Sequence, residues 1–111
     1  MESAFYGYYY FSTDCLSNKW ETTEIEQFLL AYGGFEQKGY GCFRHKSLFC
    51  TIQLMNIRSY DSWSNNNYSK KETNYINIVT SKEPPTTIKE FFGDFENFLG
   101  WNICEEIDDG L

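Results

Sequence analysis

The chain has 111 residues, a formal net charge of −7, 41% hydrophobic and 20% aromatic residues, and four cysteines. That length suits one domain over residues 1–111, and its Phe, Tyr and Trp supply enough core-forming area to exclude intrinsic disorder despite the charge. The net negative charge opposes nucleic acid and anionic membrane as partners and favours a basic one.

The first predicted element is a strand over 4–12, AFYGYYYFS. Phe5, Gly7, Tyr9 and Phe11 share one face and Tyr6, Tyr8 and Tyr10 the other, because side chains alternate along a strand. Rings on both faces suit a central strand, or one covered by helices on one side and a partner on the other. Asp14 to Lys19 reads as a loop. A helix follows, opened by a capping box of Thr23 and Glu26. Ile25, Phe28, Leu29 and Tyr32 form its apolar stripe, Glu21, Glu24 and Glu26 favour its first turn, and Gly33-Gly34 ends it.

Residues 35–46 read as a strand broken by Gly39 and Gly41, with a bulge. Residues 48–58 alternate as a further strand, in which Leu48, Cys50, Ile52 and Leu54 oppose Phe49, Thr51, Gln53 and Met55. The polar stretch 59–73 is a long loop carrying Tyr60, Trp63 and Tyr68 among Ser, Asn and Lys. Residues 74–81 alternate again, with Tyr75, Asn77 and Val79 against Ile76 and Ile78. Pro84-Pro85 breaks that strand, and Thr87 with Glu90 forms a second capping box. Ile88, Phe91, Phe92, Phe95, Phe98 and Leu99 make a helical stripe, within which Gly93 marks a place of close packing. Gly100 ends the helix, and 101–107 form a last strand before the acidic end. The expected fold class is α+β, with a mainly antiparallel sheet of about five strands and two helices on one face. The order is β-α-β-β-β-α-β, a variant of the ferredoxin-like split βαβ.

Charge runs in blocks along this order. Residues 1–31 hold five acids against Lys19, a balance of −4, and residues 32–82 hold seven bases against three acids, +4. Residues 83–111 hold eight acids against Lys89, −7. Glu105, Glu106, Asp108 and Asp109 are the candidate charged contacts for a partner, with solubility as the competing role of such a terminus. Tyr60, Asp61 and Trp63 are candidate contacts from the long loop, whose composition resembles binding loops. A core-covering Trp63 is the alternative there.

No constellation supports catalysis. Cys15, Cys42, Cys50 and Cys104 contain no Cys-x-x-Cys, so no zinc site is expected, and buried reduced thiols are the expectation. Lys38 to His45 begins like the octamer of RNA-recognition motifs but has Cys42, Phe43 and His45 where its later positions need other residues. Cys42, His45 and Asp61 could be written as nucleophile, base and orienter, yet no family signature surrounds them. Glu105-Glu106 and Asp108-Asp109 are adjacent pairs, which a strand sends to opposite faces. No calcium loop or phosphate loop is present, and no cofactor is expected. The N-terminus lacks a basic segment and a cleavage site, and no apolar run approaches a membrane span, so a cytoplasmic location is expected.

The block INIVTSKEPPTTIKEFFGDFENFLGWNICEEID (76–108), with the small size and the aromatic and acidic richness, resembles bacterial immunity proteins of polymorphic toxin and contact-dependent growth inhibition systems. That resemblance implies a non-enzymatic cytoplasmic protein that neutralises a cognate toxin domain by occluding its active site or substrate-binding face. Such toxins are commonly basic nucleases, against which an acidic inhibitor gains a fast association rate. The alternative reading is an RNA- or small-ligand-binding ferredoxin-like module that uses the aromatic first strand.

Overall fold

A computed structural model describes residues 6–12, 19–56 and 71–106. The elements are β1 (Tyr6–Ser12), β2 (Trp20–Glu21), α1 (Thr22–Tyr32), β3 (Phe35–Gly39), β4 (Cys42–His45), β5 (Cys50–Met55), β6 (Glu72–Thr73), β7 (Tyr75–Ser81), α2 (Thr86–Leu99) and β8 (Asn102–Glu106). Six strands form one sheet in the order β3-β4-β5-β7-β1-β8, and β2 pairs with β6 in a small ribbon. Every neighbouring pair in the large sheet is antiparallel. The class is therefore α+β, with more strands than the expected five. The extra main-sheet strand arises because 35–46 folds as a hairpin, turning at Tyr40-Gly41, rather than as one broken strand. Gly41 adopts φ 69°, which a side chain would strain, and its carbonyl accepts the Leu54 N–H at 2.8 Å. The bulge falls between Gln37 and Gly39.

Period-two alternation decides which face is buried. Phe11, Phe43, Ile52, Leu54, Ile76 and Ile78 are fully buried under the helices, together with Ile25, Leu29, Ile88 and Phe95. The two helices meet through rings: Phe28 stacks on Phe95 at 5.5 Å and on Phe98 at 4.3 Å. Phe95 also lies edge-on to Phe11 of β1 at 5.0 Å. Each such pair adds about 0.5–1.5 kcal/mol beyond its buried area. β1 lies between β7 and β8, as expected for a strand with rings on both faces.

Both helix starts differ from the capping-box expectation. α1 begins at Thr22 after Glu21, and α2 at Thr86 after Pro85, with no side-chain cap bond at either end. Backbone replaces the caps: the Thr22 N–H donates to the Lys71 carbonyl at 2.8 Å, beside the ribbon. The buried Thr22 and Thr73 hydroxyls bond each other at 2.9 Å. In α2 the Ile88 and Lys89 N–H groups both donate to Pro85 O at 3.0 Å. The helix ends follow expectation. Gly33 and Gly34 have φ 94° and 93°, and Gly100 is left-handed with its N–H on Glu96 O at 2.8 Å.

Candidate functional site

The helical layer concentrates acid. Glu24 and Glu26 of α1 and Glu90, Asp94 and Glu96 of α2 face a single base in these two helices, Lys89. Amphipathicity forces this arrangement: apolar stripes occupy the inner faces, so the acids turn outward or sideways. Three of them hold neighbours. Asp94 accepts the Tyr32 hydroxyl at 2.6 Å and ties the two helices at the surface. Glu26 accepts from Gln37 Nε2 at 3.0 Å, and Glu96 accepts the Ile103 N–H at 2.8 Å.

These hydrogen bonds leave the negative charges uncompensated. Among the described residues the ion pairs are Lys19–Glu72 at 3.7 Å, Lys38–Glu36 at 3.6 Å and Arg44–Glu36 at 3.6 Å. None includes an acid from either helix. Two phenols register the resulting field. Burial, the bond to Asp94 and the charges of Asp94 and Glu90 push the Tyr32 hydroxyl up to about 12. Tyr9 is also raised, by burial and then by Glu105 and Glu83. Glu105 and Glu83 thus act on Tyr9, and Asp94 and Glu90 on Tyr32, all on the helix side of the sheet.

Among the residues expected to contact a partner, Glu105 is exposed on β8 opposite Tyr9, and Glu106 pairs in register with Tyr8. Tyr60, Asp61, Trp63, Asp108 and Asp109 lie outside the described residues. The sequence reading missed the acids of both helices as a common surface. Their signal was present: each polar position opposite an apolar stripe in α2 could have been read as facing out.

The catalytic and RNA readings do not assemble. Cys42 and His45 stand three positions apart on β4, so they point to opposite faces. His45 packs edge-on against Phe35 at 5.1 Å, and its Nδ1 accepts the N–H groups of Ser47 at 3.2 Å and Leu48 at 3.0 Å. That ring is a turn anchor. The octamer Lys38–His45 is bent by the hairpin turn, and Phe43 is fully buried beneath the helices, so no ring platform forms there. Among the described residues, no group of three or more His, Cys, Asp or Glu side chains could hold a metal. Cys42, Cys50 and Cys104 are free thiols; Cys50 is fully buried, and burial pushes it up to about 12. Among the described residues no helix is long and apolar enough to cross a membrane.

The sheet face opposite the helices is the second notable surface. Tyr6, Tyr8 and Tyr10 of β1 line it, and Tyr6 meets the ring of Phe49 at 5.3 Å with 47% and 45% of the two residues exposed. At the other end Tyr10 stacks on Tyr75 at 5.5 Å, where Tyr75 and Met55 are buried. Comparison with protein-family models, with curated proteins and with solved structures finds no match to this chain.

Proposed function

We propose that the protein is a stoichiometric inhibitor: a cytoplasmic immunity protein that binds a basic toxin domain of the nuclease type and occludes its active or substrate-binding face. The observation that carries this reading is the uncompensated acidity of α2, β8 and the segment before α2, where Glu83, Glu90, Asp94 and Glu105 form no ion pair among the described residues. Fixed negative charge on a rigid helix attracts a phosphate-binding surface from a distance and is already ordered when contact is made. Inhibition needs no catalytic group on this chain. Of the C-terminal acids, Glu105 lies on the helix side with these groups and Glu106 faces the other side of the sheet; in this reading Glu106, Asp108, Asp109, Tyr60, Asp61 and Trp63 are further contacts.

At the level of topology we read the set β5-β7-β1-β8 with α1 and α2 as a split βαβ arrangement of ferredoxin-like type. α2 joins β7 to β8 across β1, and the β3–β4 hairpin is an insertion after α1. The aromatic open face keeps the ligand-binding alternative alive, since three tyrosines from β1 stand on it.

Capture of the protein encoded beside this chain, followed by binding kinetics against salt, tests the inhibitor reading. Association should slow about tenfold or more between low and physiological salt. Glu90→Lys with Glu105→Lys should slow it further and abolish protection of cells. An association rate indifferent to salt and to both substitutions would sink the proposal.

A further inference from the structure

We propose that Glu96 is an edge guard: its carboxylate, lying over the outer N–H of Ile103, closes the β8 edge of the sheet to strand pairing and keeps copies of this chain from joining edge to edge. This is independent of the inhibitory reading and concerns a carboxylate which that reading leaves out. The ladder decides which groups face outward. In an antiparallel sheet the N–H and C=O of one residue point to the same neighbour, and those of the next residue to the other side. The Lys46 N–H donates to the Gly34 carbonyl at 2.7 Å and the Leu54 N–H to the Gly41 carbonyl at 2.8 Å, so Arg44 turns its polar backbone toward β3 and Phe43 toward β5. Carried through the register, Thr51 faces β7, Ile78 faces β1 and Tyr10 faces β8. Cys104 and Glu106 then bond back to β1, while Ile103 and Glu105 point their N–H and C=O groups out of the sheet. Glu96 Oε2 accepts that Ile103 N–H at 2.8 Å. A phase set at the far edge of the sheet therefore agrees with the direction of the N–H that Glu96 caps.

Helix α2 delivers the carboxylate. Glu96 stands in its last turn, where its own carbonyl takes the Gly100 N–H at 2.8 Å and the left-handed Gly100 turns the chain toward β8. Among the described strands β8 has no partner on its outer side, and Asn102, Cys104 and Glu105 are exposed there. Such an edge is a template for another strand unless something blunts it. In a solution of this chain alone, the strand on offer is β8 of a second copy, running antiparallel about a two-fold axis beside Cys104. That register sets Ile103 opposite Glu105 and Asn102 opposite Glu106, so no two acids stand directly opposite and charge alone does not forbid it. The guard does: each copy has outward donors at Ile103 and Glu105, and Glu96 already holds the first. The other edge of the sheet is blunted differently. There a bulge falls between Gln37 and Gly39, and Gln37 Nε2 donates to the Gly39 carbonyl at 3.2 Å.

Amide exchange and sedimentation of the full chain test the guard. In the parent the Ile103 N–H should be protected at least about tenfold more than the Glu105 N–H, which faces the same way without that acceptor, and the chain should stay monomeric to about 200 µM. Glu96→Ala should dimerise below about 50 µM. An oxidant should then link Cys104 to Cys104 across the two-fold, where a non-hydrogen-bonded pair sets the Cα atoms about 4.5 Å apart. Glu96→Gln removes the same charge but keeps an acceptor oxygen, and should remain monomeric. A folded Glu96→Ala chain that is still monomeric at about 200 µM overturns the proposal and leaves Glu96 as a local staple between helix and strand. Dimerisation of both variants alike also overturns it, since lost repulsion would then be the cause. So does a parent that already forms the Cys104 link, or one in which Ile103 exchanges as fast as Glu105. That last measurement decides the matter even if Glu96→Ala fails to fold.

Discussion

Single residues show how charge and burial share the work. Tyr32 closes the outer seam between the helices with its hydroxyl on Asp94 at 2.6 Å. Burial is the main cause of its raised pKa, and the carboxylates add to it because a phenolate would face two negative charges. The folded chain therefore holds this proton more tightly than the unfolded chain, whose value is near 10. The stabilising contribution is whole below about pH 10 and is lost as pH rises through about 12. Tyrosinate absorbance should show this directly. The difference between the parent and Tyr32→Phe should titrate near 12, and Asp94→Asn should bring it down. A difference curve centred at the ordinary tyrosine value in the parent would show that the seam bond is not made in solution.

At the scale of elements, most strands and both helices were legible in the sequence because each buries one face. Alternation located β1, β5, β7 and β8, and the Phe91-Phe92-Phe95-Leu99 stripe located α2, since those positions must all reach one core. The two-residue strands β2 and β6 escaped notice because a pair of residues has no period to detect. The capping boxes misled for a different reason: α1 receives a backbone acceptor from Lys71, a residue 49 positions beyond Thr22, which no local pattern encodes. Gly93 was expected to mark close packing, yet it is exposed and a Cβ built there meets nothing within 4 Å. Its helical position then carries only the entropic cost of glycine. Gly93→Ala should stabilise the protein by about 0.5–1 kcal/mol and raise the melting temperature by about 2–5 °C. A lower melting temperature would mean that α2 packs against something at that point.

Across the whole molecule the charge blocks of the chain become opposite regions of a surface. The sequence displayed the acidic C-terminal third as a count, but only the fold shows that the acids of α1 and α2 and Glu105 of β8 lie on the helix side of the sheet, while Lys38 and Arg44 stay with Glu36 at its far edge. This distribution has a consequence for stability. Glu90 and Asp94 stand four positions apart on α2, a like-charge spacing that costs a few tenths of a kcal/mol. Glu83 and Glu105 both act on Tyr9, and the helical acids form no ion pairs among the described residues to offset them. The three ion pairs among the described residues are exposed and contribute little. Repulsion therefore outweighs attraction at neutral pH, and screening should help the fold. Raising sodium chloride from about 0.02 to about 0.5 M shortens the Debye length from about 20 to about 4 Å, and should raise the melting temperature by about 2–4 °C. Glu90→Gln should reproduce part of that gain at low salt and shrink the further gain from added salt. A melting temperature that falls as chloride is added would show that the paired bases, not the unpaired acids, dominate the electrostatics, and would remove the premise on which partner attraction by the helical face is built.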